Sequence, residues 1–188
     1  VYLVTNASTL QSYTGHRPGD NLFGGSILAL DVETGERVWH FQIHRSDQWN
    51  YDIPTAPILM DLNVDGEDIP ALIQNTKQGL IFAFNRETGE PIWPIEERPV
   101  PQETNLPGEV PSLTPPFPTK PPPFEYQGVA IDDLGDFTPE IRAMAAEAVR
   151  DFTLGPIFPP PLRTVEGVTQ GTIQRPAIDG GADWGGAG

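Results

Sequence analysis

The phrase Ala29 to Trp39 (ALDVETGERVW) is written again from Ala83 to Trp93 (AFNRETGEPIW), 54 positions later. An internal repeat constrains a fold more than any single motif, because each copy must be one structural unit that packs on the next. Each copy reads as a strand, a tight turn and a second strand that closes on Trp. Asp31 and Asn85 are placed to accept backbone N–H bonds within the turn, and Gly35 and Gly89 supply the positive φ it needs. Trp39 and Trp93 offer large flat surfaces for docking one small sheet on another.

Further strand-like runs fall at Val1 to Thr5, Ser26 to Asp31, Arg37 to Gln42, Ala56 to Leu62, Ile69 to Gln74 and Leu80 to Asn85. Many short strands with turn residues between them predict an antiparallel, all-β chain. The run Asp61-Leu62-Asn63-Val64-Asp65-Gly66 has the start of a calcium loop, but its twelfth position is Leu72 where that loop needs Glu, so it reads as a hairpin turn. From Pro99 to Pro123 the chain carries ten prolines in 25 positions, which excludes a central strand or a helix interior there. One helix is expected from Pro139 to Phe152, with Thr138 as its cap and Gly155-Pro156 as its stop. Ile141, Met144, Ala145, Ala148, Val149 and Phe152 give it an apolar stripe, expected to pack on the sheet module. The expected organisation is therefore blades over 1–98, a Pro-rich insertion over 99–136, a helix over 137–155 and a return to the blades over 156–188.

A formal charge of −15, with 11 basic against 26 acidic residues, argues against a nucleic-acid groove. No window approaches the ~20 apolar residues of a membrane span. There are no cysteines, which excludes thiolate metal sites and disulfides within this chain. Val1 opens directly on a strand and the end is the glycine-rich phrase Gly180 to Gly188, so the chain is expected to be an internal fragment of a larger protein.

Three places hold residues with chemical potential. The segment His40 to Pro54 gathers His44, Asp47, Trp49, Asn50, Tyr51 and Asp52 between the repeats, where binding and catalysis concentrate. Composition by itself favours a polar surface loop with its aromatics pinned to the sheet. Lys77, between two apolar strands, is placed either to meet an anionic or carbonyl-bearing ligand or to guard a strand edge. Asn6, in Thr5-Asn6-Ala7-Ser8, is either a ligand for a hard cation such as calcium or the start of an Asx turn.

The pattern Ala-x-Asp-x-x-Thr-Gly-x-x-x-Trp resembles the tryptophan-docking repeat of quinoproteins, the dehydrogenases built on pyrroloquinoline quinone (PQQ). The order of features is similar to the glucose, quinate and polyol branch: Asn6, Arg17-Pro18-Gly19-Asp20-Asn21, the first repeat, Asp47 to Asp52, Thr76-Lys77-Gln78-Gly79, the second repeat, Pro94 to Gln102 and Trp184-Gly185-Gly186. The resemblance implies a fragment of an eight-bladed β-propeller with a Pro-rich insertion and one short helix. It implies PQQ and calcium as cofactors, an alcohol, polyol or sugar as substrate, and a quinone or cytochrome as electron acceptor. It also implies a periplasmic location, with membrane attachment only through segments outside this chain. By the same resemblance Lys77 bonds the quinone, Asn6 ligates calcium, and Asp183 or Trp184 lines the cofactor pocket.

One position departs from the pattern. Where the family reads Trp-Asp-Tyr, with that Asp as base, this chain reads Trp49-Asn50-Tyr51, and an amide does not take a proton. The family's paired histidines just before are also changed, to Arg45-Ser46. Either Asp52 or Asp47 takes over as base, or Asn50 positions the substrate while another residue acts, or the protein is a noncatalytic periplasmic scaffold of the same ancestry.

Overall fold

The computed structural model describes residues 1–7 and 13–187. Its first sheet is β1 (Tyr2–Val4), β2 (Ser26–Leu30) and β3 (Arg37–Gln42), antiparallel in that order. The second is β4 (Ile58–Val64), β5 (Glu67–Asn75) and β6 (Ile81–Asn85), again antiparallel in chain order. Asp65 and Gly66 both take positive φ between β4 and β5, which is the tight hairpin expected there rather than a cation loop.

The two repeats build the same turn. Asp31 Oδ1 accepts the Glu33 and Thr34 N–H groups at 3.0 and 2.8 Å, and Asn85 Oδ1 accepts those of Glu87 and Thr88 at 2.9 and 3.2 Å. Gly35 and Gly89 close it at φ of 73° and 77°. The copies diverge beyond the turn. After the first, β3 forms a full strand; after the second, pairing stops at one bridge between Phe84 and Pro91. Pro91 and Pro94 lack the N–H groups a ladder needs.

The sheets join through the repeat. Trp39 is 8% exposed, its Nε1–H donates to the Arg86 carbonyl at 2.9 Å, and its ring lies so close to Gly89 that a Cβ there would stand 2.7 Å from it. The Tyr2 hydroxyl donates to the same carbonyl at 2.8 Å, so Trp39→Phe removes one of its two bonds and should lower stability by about 1 kcal/mol, read as a shifted urea midpoint. Around this joint one core runs through Ile27, Trp39, Phe82 and Phe84 to Trp49, Tyr51 and Ile53.

The remaining chain wraps this core with little regular structure. β7 (Ile95–Glu97) pairs with β8 (Pro116–Pro118), bringing Phe117 into the core. β9 (Gly128–Val129) pairs with β11 (Gly155–Pro156), and β10 (Phe152–Thr153) with β12 (Gly171–Thr172). The helix α1 spans Pro139–Val149, with Thr138 Oγ1 accepting the Ile141 N–H as expected of its cap. It ends sooner than Phe152, which instead enters β10. Its stripe is not a core face: α1 has no buried residue, and Ile141 and Met144 are exposed. Two of the six stripe residues are alanines, so burying them would contribute little. Among the described residues no helix is long and apolar enough to cross a membrane.

Candidate cofactor and proton-transfer site

The segment expected from composition to be a surface loop is buried. Ile43, His44, Ser46, Asp47, Gln48, Trp49, Tyr51 and Ile53 all lie in the interior. The aromatics drive this: Trp49 and Tyr51 stack at 6.4 Å between centroids, and Phe158 packs edge-on to both. Their polar ends are satisfied by distant carbonyls, Trp49 Nε1–H on Pro159 at 2.6 Å and Tyr51 Oη–H on Pro176 at 2.5 Å. Burial is also the main reason the Tyr51 phenol is pushed far above its ordinary range.

Asp47 is locked into this interior. Its Oδ1 accepts the Trp49 N–H at 2.9 Å and stands 3.3 Å from His44 Nε2. Burial pushes its carboxyl up, yet His44 and the Trp49 and Tyr51 N–H groups outweigh that and hold it below the usual carboxylate range. A depressed native pKa means that Asp47 stabilises the fold fully above the unfolded value of about 3.9 and loses that contribution as pH falls through the lower folded value. Asp47→Asn should therefore flatten the fall in urea midpoint below about pH 4. Such an anion is a poor proton acceptor.

Asn50 has a left-handed backbone, φ 62°, and its Nδ2–H donates to the Ile178 carbonyl at 3.2 Å. Asn and Asp are the side-chain-bearing residues that tolerate this conformation best, so exchange between them leaves the chain path intact. The amide can donate to Ile178, which an ionised carboxylate cannot.

Lys77 sits in the hairpin turn between β5 and β6, closed by Thr76 N–H to Leu80 O at 3.1 Å and Gly79 N–H to Thr76 O at 3.1 Å. It is no edge guard: the side chain is 8% exposed and Nζ donates to Asp52 Oδ1 at 2.7 Å. The chain's closing segment covers it. Gly181 N–H donates to the Lys77 carbonyl at 2.9 Å, and a Cβ on Gly180 would stand 2.4 Å from Lys77 Cβ. Gly180 also takes φ 75°. Gly180→Ala should cost about 2–3 kcal/mol from the left-handed backbone and overpacking together, measured by urea unfolding.

The structure thus brings together Asn50, Asp52, Lys77 and Gly180-Gly181. It places Asp183 and Trp184 elsewhere, on an exposed turn where Asp183 accepts the Trp184 N–H and Trp184 is 85% exposed. Gly180 and Gly181 lie against Lys77. Asn6 is exposed, with its carbonyl accepting the Gly25 N–H at 3.1 Å; the adjoining Ser8 and the terminal Gly188 lie outside the described residues. Among the described residues no three His, Cys, Asp or Glu side chains gather into a metal-holding group.

Sequence reasoning missed Glu109, which is 8% exposed and accepts bonds from Thr14 and Gln48. The available signal was its isolation, since it is the one carboxylate between Glu103 and Glu125 in a run of prolines and apolar residues.

The model of the PQQ glucose/ethanol/alcohol dehydrogenase β-propeller domain matches residues 1–188. The chain belongs to this family. It is 35% identical to the glycerol dehydrogenase large subunit of Gluconobacter oxydans (strain 621H), over 98% of this chain and 24% of that protein. It is 32% identical to the quinoprotein glucose dehydrogenase of Escherichia coli (strain K12), over 99% of this chain and 22% of that protein. It is 28% identical to the quinate/shikimate dehydrogenase (quinone) of Acinetobacter baylyi (strain ATCC 33305 / BD413 / ADP1), over 98% and 22%. The chain thus spans about a quarter of the length of the curated relatives it matches. The two repeat-bearing sheets belong to a β-propeller of the PQQ-dependent dehydrogenases.

Proposed function

We propose that this chain supplies the PQQ-binding lysine and the proton acceptor of a dehydrogenase that oxidises an alcohol, polyol or sugar. The observation that carries this is the buried Lys77–Asp52 pair, 2.7 Å apart beneath the Gly180-Gly181 backbone. An ammonium has three N–H donors, and among the described residues Lys77 uses one, on Asp52. The others suit the oxygens of an anionic quinone, and the glycines keep side chains off the lysine stem, so the residues present fit PQQ.

PQQ, when bound, accepts the hydride from the alcohol carbon. The protein must hold the acceptor's oxygens and remove the hydroxyl proton. Lys77 does the first, its charge offsetting the negative charge that develops on the ring oxygens. Asp52 does the second, because its carboxylate lies beside Lys77 while Asp47 is sealed in the interior behind His44 and Trp49. Asn50, bonded to Ile178, holds the closing segment in place and leaves the proton to Asp52.

Calcium is part of the same reading, with Asn6 as a ligand. A calcium ion takes six to eight oxygens, so most would come from beyond the described residues, and no step here depends on it. We further assign the protein to the periplasm, with a quinone or cytochrome as its electron acceptor. In the relatives' names, glycerol, glucose and quinate mark the range of substrates.

The test is a fluorescence titration of the protein carrying its complete set of blades with PQQ, with and without calcium, followed by dye reduction with a panel of polyols and sugars. Saturable micromolar binding and turnover of at least one substrate are expected. Absence of PQQ binding would end this reading. Binding without turnover of any substrate would favour the noncatalytic scaffold, which Asn50 in place of Asp brings to mind.

A further inference from the structure

The peptide Asp47–Trp49, which leads into the site, is gripped from several distant segments at once. Arg17 Nη2–H donates to the Asp47 carbonyl at 2.7 Å, and Gln174 Nε2–H donates to the Trp49 carbonyl at 3.0 Å. Between them Gln48, only 3% exposed, donates from Nε2 to Glu109 Oε1 at 2.6 Å. Glu109 reaches in from the proline-rich insertion, and its two oxygens also accept the Thr14 N–H at 3.1 and 3.0 Å and the Thr14 hydroxyl.

A carboxylate is a costly way to anchor a loop. Burying it takes it out of water, and apolar side chains such as the neighbouring Val110 or Leu113 would be cheaper if holding the insertion were the whole task. What a carboxylate adds is two strong acceptor oxygens at one point, which serve two donors from Thr14 and one from Gln48 together. That fixes the rotation of Gln48, and the next residues are Trp49, the left-handed Asn50 and, two further on, Asp52.

We propose that Glu109 is a positioning residue for the Asn50–Asp52 site, setting its geometry through Gln48. This rests on the functional reading of that site given above. Glu109→Gln tests it at constant volume, because the amide offers one acceptor oxygen and points its own N–H groups at other donors. Gln48→Met removes the coupling donor and leaves the Glu109–Thr14 bonds in place.

The experiment takes the protein with its complete propeller as wild type, Glu109→Gln, Gln48→Met and the double variant. Hydrogen exchange of the Trp49–Asp52 amides is followed without cofactor, and kcat and KM are measured with PQQ. Each single change should speed exchange across this segment about tenfold. Each should lower kcat by about ten- to a hundredfold with a small change in KM, as misplaced reacting groups do. The double variant should be no worse than the worse single, since both act through one contact.

Additive effects in the double variant overturn the proposal. So does a lowered melting temperature with exchange at 49–52 and kcat both unchanged, which would make Glu109 an anchor for the insertion alone. If Glu109→Gln does not fold, Gln48→Met carries the same expectations and decides. If wild type binds no PQQ, the functional reading fails separately, and the exchange measurements still accept or reject the Glu109–Gln48 coupling.

Discussion

Lys77→Met is expected to weaken PQQ binding by about a hundredfold or more, from the loss of charge-assisted bonds at about 1.5–3 kcal/mol each. It should also destabilise the protein by about 3 kcal/mol, by leaving Asp52 without its counter-charge. That figure sits at the low end for a broken buried pair because Asp52 keeps 14% of its side chain exposed. The two effects separate in the double variant Lys77→Met with Asp52→Leu. Removing both charges should restore most of the stability, since an apolar pair of similar size replaces an ion pair at little cost. Cofactor affinity should stay low. Fluorescence titration and urea unfolding read the two quantities independently, and a Lys77→Met protein that binds PQQ as tightly as wild type would remove the lysine from the site.

Asp52→Asn should lower kcat by about 10²- to 10⁴-fold, the usual worth of a positioned general base. The amide still accepts a bond from Lys77, so PQQ affinity should change far less than in Lys77→Met, while folding should lose about 2–3 kcal/mol because the buried ammonium keeps a hydrogen bond but loses its counter-charge. Single-turnover reduction of the bound cofactor by a good substrate is the direct measurement. A kcat retained within about tenfold would show that Asp52 is a partner of Lys77 and not the proton acceptor. Two controls sharpen the result. Asp47→Asn should leave kcat closer to wild type, since that carboxylate is buried, with Oδ1 on the Trp49 N–H and beside His44. Asn50→Asp gives up the bond to Ile178 and should loosen the Gly180-Gly181 cover.

The parts of the fold that were legible in the sequence are those set by neighbours in the chain. The Asp31 and Asn85 turns, with their glycines at positive φ, follow from residues within five positions of one another. The six strands of the two sheets follow from alternation and turn chemistry in the same way. The helix was legible as a helix, with its cap, but not as an exposed one, because a sequence stripe does not say whether anything lies opposite it. The site was legible only in its residue types. Composition placed His40 to Pro54 at the surface, since polar residues are mostly exposed, but here Trp49 and Tyr51 draw most of the segment inside and leave Arg45, Asn50 and Asp52 half-buried. Their hydrogen-bond partners, Pro159 and Pro176, are more than a hundred residues away.

The sequence by itself determined that this chain is built from repeated β modules, that each repeat closes on a tryptophan, and that Lys77 lies in a turn between two of their strands. Those are local matters of backbone preference and periodicity. Only the tertiary structure decided which carboxylate stands beside that lysine and which is sealed away, and what the closing glycines are for. Asp47 and Asp52 are five residues apart and chemically identical. They differ because Trp49, packed on Phe158 and Pro159, carries Asp47 and its neighbour His44 into the interior, while Asp52 faces an ammonium from the β5–β6 turn; both depend on packing between segments distant in sequence.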